Sequence, residues 1–430
     1  MTWKCTNTPK GENKLYSDAK GVVPSLDLRF AEGKNLNDYM TGQQLIQFSR
    51  SSIGTYVDEN GIIQTATADT PRFDHNPTTG ESLGLLIEES RTNSYPLSVD
   101  FGYGSAVNTV ITNNQATAPD NTNTASIFKE NAANAAHTFF AVNFAPSGTH
   151  TTSIWVKEIQ STPKRYFGLR VYGVGKGITW VNFDLETGTV VGSAGTQLIS
   201  TFIDPYPNGW YRCGYSSNSD VSGAADGVQL YLSTQPTLES PSYLGNNTSG
   251  FYIWGVQVEE GSFPTSYIPT TGTALTRNAD VASITGSNFS SWYNESEGTI
   301  YGIFDSVREG ASRRGWSFGG GGDRHWFYAP ISQLIGSSGG STNYAFTFPA
   351  ITSTAQKAAL GYALNNNAGT INGSTIQSDT SCNPPIGLNS VGIGSDGSGT
   401  AGTLLGGTIS RLTYFPERLP DSSLQTMTAP

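Results

Sequence analysis

Charged side chains make up only 13% of these 430 residues, yet they crowd into "PRFDHNPTTGESLGLLIEESRTN", residues 71–93, which holds an Asp, a His, three Glu and two Arg. Asp74, His75 and Asn76 are ligand types that could begin a metal site. An oxygen-rich cation loop needs carboxylates at alternating positions and a closing Glu at fixed distance, and Pro77 interrupts any such loop. Joinery is the better reading. Asp27, Arg29, Arg50, Arg72, Asp74, Glu88, Glu89 and Arg91 mix both signs across segments expected to be neighbours. Arg–carboxylate forks fix geometry more than they add stability, so these residues are predicted to form a structural ion-pair collar. Charges merely solvated on exposed strand faces remain the alternative.

Catalysis finds weaker material. Glycoside hydrolysis needs two carboxyl groups about 5–10 Å apart in a cleft. Of the paper pairs, Asp184 and Glu186 end a strand in a turn, Glu259 and Glu260 are adjacent and point to opposite faces, and Asp58 and Glu59 belong to a turn. The four histidines, His75, His137, His150 and His325, leave few candidates for a nucleophile's base. "GSSGG", 336–340, matches a nucleophile pattern around Ser338 but lacks the strand-to-helix context, and "YGVGKGITW" has the wrong spacing before Lys176 for a phosphate loop. No enzyme, cofactor or metal is predicted.

Aromatic residues carry more. A pyranose presents C–H groups to a flat ring and hydroxyls to amides and carboxylates. Trp155, Tyr166, Tyr172, Trp180 and Tyr231 lie on different predicted strands and could line one exposed sheet face. Asp323, Arg324, His325 and Trp326, in the loop-like "GGGGDRHWFY", form a second candidate carbohydrate surface. Trp210 and Trp254, set among apolar neighbours, are expected to be buried.

The elements that must position these groups are strands. Fifty Gly with 11% aromatic residues, and no sustained 3.6-residue apolar period, predict a mainly β protein with little helix. Residues 1–24 read as an extended arm, and 25–93 as an irregular β module for docking. Strands at roughly ten-residue spacing over 94–277 predict a first antiparallel jelly-roll sandwich, and 278–430 a second, concanavalin-like one, with "LPDSSLQTMT" as a helical turn or two at the end. The segment "SYIPTTGTALTRNADVASI" reads as a linker between the sandwiches. A net charge of −10 argues against nucleic acid as a partner, and no apolar run suggests membrane insertion or a signal peptide. Cys5, Cys213 and Cys382 are expected to be free thiols, with Cys213 buried.

Several blocks, "FSRSSIGTYVDENGIIQTA", "PRFDHNPTTGESLGLLIEESRTN", "FDLETGTV", "NGWYRCGYS", "IWGVQVEEGSFPTSYIPTTGTALTRNAD" and "ISRLTYFPERLPDSSLQTMT", resemble in this order virion proteins of tailed bacteriophages that carry concanavalin-like or carbohydrate-binding-module-like jelly rolls. The resemblance begins near residue 25 and leaves the N-terminal arm unmatched. It implies a structural fibre, adhesin or decoration protein of the virion, assembled as a homotrimer with other virion proteins as partners and a host-surface glycan as ligand. It supplies no catalytic residues. A polysaccharide-depolymerising tailspike-like enzyme and a purely architectural decoration protein are the alternatives.

Overall fold

A computed structural model describes residues 12–142, 148–159, 162–172, 178–218, 227–305, 313–329, 331–349, 355–400 and 402–430. The protein is mainly β and consists of two antiparallel sandwiches, one inserted into the other. One sheet of the outer sandwich runs in the order Gln377–Asp379, Asn367–Ile371, Gln356–Ala363, Glu297–Asp305, Gly407–Phe415, Ser82–Ile87, Phe73–His75, and Leu26–Leu28 also pairs with Gly407–Phe415. The facing sheet runs Gln47–Ser49, Val281–Thr285, Ser390–Ile393, Arg314–Gly320, Asp323–Tyr328, Gln333–Ser338, Ser341–Thr347. Both sheets feed a single core that joins Leu28, Leu85 and Ile87 to Ile284, Ile300, Trp316 and Ile409.

Residues 25–93 are therefore not a docking module of their own. Their strands are three to six residues long, too short to bury an apolar face independently. Leu85 and Ile87 become dry by pairing Ser82–Ile87 with Gly407–Phe415, in the register Ile87↔Gly407 and Leu85↔Ile409. The arm is corrected in the same way. Glu12–Asp18 is a helix whose Leu15 packs, with Ala19, against Leu424 and Met427 of the C-terminal helix Asp421–Thr428. Residues 1–11, including Cys5, lie outside the described residues.

The inserted sandwich packs the sheet Leu198–Tyr206, Trp210–Ser217, His150–Glu158, Gly250–Glu260, Ala125–Glu130, Thr109–Ala116 on the sheet Thr189–Ala194, Thr179–Asp184, Tyr166–Tyr172, Gly227–Ser233, His137–Val142, Ser105–Val107. Alternation decides the faces. In His150–Glu158, Ile154 and Val156 enter the core between the sheets, so Trp155 points outward. Cys213 is buried in that same core, and both it and Cys382 are free thiols. Where the chain leaves and rejoins the outer sandwich, Arg91–Asn93 pairs antiparallel with Leu275–Arg277, so the two crossings are zipped together. A hairpin of the outer part, Gly54–Val57 with Ile63–Ala66, reaches across this joint and places Ile63 in a cluster with the outward-facing Trp155, Trp210, Trp254 and Tyr267.

Candidate functional site

At the zipped crossing the sandwiches share a buried ion network. Asp280 takes Arg72 Nη2 at 2.6 Å and Arg50 Nη1 at 3.0 Å, while Glu88 takes Arg72 Nη1 at 2.8 Å and Arg277 Nη1 at 3.1 Å. None of these five side chains is more than 6% exposed. The inserted sandwich enters through Ser266, which donates to Glu88 from its backbone N at 2.8 Å and from its hydroxyl at 2.6 Å. Buried charge is tolerable only when each lone pair and N–H finds a partner, and here most do. Burial opposes ionisation of Glu88, but Arg277 and Arg72 outweigh it and hold its pKa down at about 2. Burial likewise opposes charge on Arg72, yet Asp280 and Glu88 raise its pKa above the ordinary value. A few residues along the chain, Arg91 and Arg313 both pair with Glu89 and both lie over the Phe263 ring, at 4.7 and 4.6 Å from its centroid.

Beside this dry network opens a cleft of about 400 Å³, walled by the outer sandwich, the hairpin and the inserted sandwich. Asp74 stands on its floor in the strand Phe73–His75 and accepts from Val57 N at 2.7 Å. Poor hydration there, with Glu88 nearby, overcomes that hydrogen bond and pushes the Asp74 pKa up to about 6. Across the cleft the end of the strand Leu198–Tyr206 presents exposed Asp204 and half-buried Tyr206. The Tyr206 ring meets Trp155 edge to face at 5.8 Å, and Trp155 carries the Arg212 guanidinium 4.5 Å from its centroid. Arg212 is engaged further, donating to Thr265 O at 2.8 Å and to Ser153 Oγ at 3.1 Å. A second cavity of about 430 Å³ adjoins the first at Tyr206 and is lined by Lys157, Asn60, Asn121 and Asn208.

The eight residues grouped by sequence fall into separate places. Arg50, Arg72 and Glu88 share the network, and Glu89 pairs with Arg91. Asp27 and Arg29 form a distant cluster at 2.7 Å, closed by Arg411 at 2.6 Å from Asp27. Asp74 belongs to the cleft. Sequence reasoning missed Asp280, Arg277, Arg313 and Arg411, which complete the pairs. "TRNAD" carries Arg277 and Asp280 together in the stretch that reads as a linker, and that crowding of charge is the signal the sequence offers. It also missed Asp204, which lies near the end of the strand Leu198–Tyr206, paired with Arg212 of the next strand.

The aromatic candidates are mostly closed to a ligand. Tyr231 is on the outer face of its sheet but fully buried, because the segment after Ser233 folds back over it. Asn182 holds that segment through Pro236 O and Leu238 O and accepts from the Tyr231 hydroxyl at 2.7 Å, while Arg170 pairs with Glu239. Trp155 is 1% exposed, enclosed by the joint. Tyr166 and Trp180 stay half-buried, and the Tyr172 side chain lies outside the described residues, as does Lys176. The loop-like stretch forms a hairpin of Arg314–Gly320 with Asp323–Tyr328. Its His325 is a core residue rather than a surface one, its ring tilted against Tyr362 with centroids 4.4 Å apart, and burial lowers its pKa to about 3. Asp323 is tied to Ser338 Oγ at 2.7 Å, and Arg324 covers the 8%-exposed Trp326 at 4.6 Å. Of the carboxylate pairs, Asp184 and Glu186 both bind Lys164, at 2.8 and 2.7 Å. Glu259 is buried on Thr265. Among the described residues no cluster of His, Cys, Asp and Glu could hold a metal.

No family model matches the chain, and no curated protein matches it in sequence. Solved structures offer distant β-sandwich likenesses. The carbohydrate-binding module (CBM40) of Ruminococcus gnavus IT-sialidase, bound to α2,3-sialyllactose, has a TM-score of 0.30 at 18% identity over 33% of this chain and 88% of its own. Trypanosoma rangeli sialidase in complex with sialic acid has a TM-score of 0.25 at 11% identity over 71% of this chain and 60% of its own. Domains LG4-5 of the mouse laminin α1 chain reach 0.20 at 8% identity over 76% and 88%. Likeness at this level assigns no ligand.

Proposed function

We propose that this protein is a glycan-binding structural component of a tailed-bacteriophage virion, a fibre, adhesin or decoration protein acting as a homotrimer. The observation that supports it best is the cleft of about 400 Å³ held open at a cross-braced joint, with tyrosine rings and carboxylates within reach of a ligand. That mixture suits a saccharide, whose C–H faces stack on rings while its hydroxyls seek acceptors. Rigid bracing suits a particle component, because many weak sites fixed in one array act at high effective concentration. The assignment to a virion draws on the sequence blocks that resemble phage proteins. An array of host-surface glycans is expected to show binding, and labelled antibody is expected to decorate intact particles in electron micrographs. Unlabelled particles would remove the virion assignment, and a silent array would leave an architectural role.

A depolymerase has one observation in its favour: poor hydration pushes the Asp74 pKa up to about 6, toward the range of a general acid, in a cleft that also holds Asp204. Reducing ends released from host capsule or lipopolysaccharide, and lost in Asp74→Asn, would establish that reading instead.

A further inference from the structure

Resting on the glycan-binding reading above, we infer that the second cavity, between the tip of the hairpin and the Pro207–Gly209 turn, is a subsite for an anionic sugar unit whose carboxylate, sulfate or phosphate group pairs with Lys157. Alternation brings the cation there. Ile154 and Val156 of His150–Glu158 enter the core, so Lys157 shares the outer face with Trp155. It lies opposite Trp210 on one neighbouring strand and Tyr252 on the other, so its stem has an aromatic neighbour on each side.

No carboxylate answers this lysine. The described lining of the cavity, about 430 Å³ in volume, contains no Asp or Glu, and among the described residues Lys157 has neither an ion pair nor a hydrogen bond. Lys34 and Lys164, by contrast, meet carboxylates at 3.2 and 2.7 Å. The acids close in sequence to the lining are engaged elsewhere. Asp58 accepts from Asn60 N, Ile62 N and Gln64 Nε2, Glu59 from Lys34, and Asp120 from the backbone N and hydroxyl of Thr122. Glu158, next along the strand, alternates to the other face.

Amides complete the wall. Asn60, Asn121 and Asn208 come from three separate turns, are exposed, and have no side-chain hydrogen bond among the described residues. An amide offers N–H donors to an oxyanion and a carbonyl to a sugar hydroxyl. The wall is also preformed. Asn121 and Asn208 have φ of 63° and 60°, the left-handed region that Asn tolerates, and Asn121 N donates to Ala118 O at 2.9 Å to close its turn. Ile63 N donates to Pro119 O at 3.0 Å and so ties the hairpin to that same turn. A ligand therefore meets donors already in place, which lowers the cost of ordering them.

The test is calorimetric titration of the full chain with uronic-acid-bearing, sialylated, sulfated and phosphorylated oligosaccharides, each beside the neutral oligosaccharide of the same backbone. At least one anionic probe is expected to bind about tenfold or more tightly than its neutral counterpart, and the probe set separates the three anions. Added salt is expected to weaken that binding, whereas repulsion by the net charge of −10 alone would make it strengthen. Lys157→Met and Lys157→Gln, which keep the stem, are each expected to bring the anionic probe down to the level of the neutral one and to remove the salt dependence. Asn121→Gly and Asn208→Gly keep the left-handed turns and delete the amides, and each is expected to weaken binding several-fold. Lys14→Met, at an exposed lysine elsewhere, is expected to change nothing. An anionic preference that survives both Lys157 substitutions, or no preference for any anionic probe, would overturn this inference while leaving the glycan reading in place. Silence from every probe would remove the glycan reading and this inference with it.

Discussion

Glu88 and Asp74 stand at the same joint and titrate in opposite directions. Glu88 is the more buried, yet two guanidinium groups hold it ionised down to about pH 2. Asp74 lines the cleft and its pKa is pushed up to about 6, because poor hydration, with the Glu88 carboxylate nearby, outweighs the Val57 N–H and the more distant pull of Arg72. Burial alone does not set the charge state; the partners do. One side of the joint is thus a brace and the other a surface left open.

The largest effect should come from breaking the brace. Arg72→Met leaves Glu88 and Asp280 short of a partner in a dry site, and is expected to cost about 3–5 kcal/mol in denaturant unfolding. If the loss is below about 1 kcal/mol, the network is not what couples the sandwiches. Next is the acid limb. Glu88 has a depressed folded pKa, so its stabilisation is present above about pH 4.5 and is lost as pH falls toward 2. Glu88→Gln is expected to flatten that limb and to cost roughly 2–3 kcal/mol at pH 7.

Asp74 gives the opposite sign. Its folded pKa lies above the unfolded one, so the fold binds the proton better, and stability falls as pH rises from about 4 to about 6. Asp74→Asn, which retains an oxygen for Val57 N–H, is expected to stabilise by roughly 1–2 kcal/mol at pH 7 and by almost nothing at pH 4. Equal effects at both pH values would mean that Asp74 does not titrate as described. The smallest change tests the hairpin. Gly61 has φ +75°, and a Cβ there would lie 2.3 Å from both Pro207 Cγ and Pro77 O. Gly61→Ala is expected to cost about 1 kcal/mol or more and to raise amide exchange in Gly54–Val57 and Ile63–Ala66 before the cores respond.

Strand character was legible because it is written locally. "SIWVKEI" alternates, and its Ile154 and Val156 face a core as alternation requires. Alternation also sent Trp155 to the outer face, but nothing nearby in sequence says that a hairpin from residues 54–66 covers it. The same limit hid the insertion. Pairing of Thr92 with Thr276 joins positions far apart in the chain, and short polar strands such as "RTN" and "LTR" carry no mark of their partner. Charge was partly readable: the density around Arg72 and Glu88 pointed to joinery, whereas Asp280 was lost in an apparent linker. Tyr231 was misplaced because a roofing segment, unlike a strand, has no period to betray it.

The zipped crossing also orders events in time. Residues 94–277 are contiguous and can close as soon as they are made, whereas Ser82–Ile87 must wait for Gly407–Phe415. At roughly 5–20 residues per second that wait lasts on the order of tens of seconds. Over that interval the nascent outer half is an unfinished sheet, and the finished insert shortens the gap its last strands must span by pinning Arg91–Asn93 to Leu275–Arg277. Ribosome-bound chains stalled near residue 300 should resist protease over 94–277 and be cut within 25–90; protection of both would show that the early strands find shelter sooner.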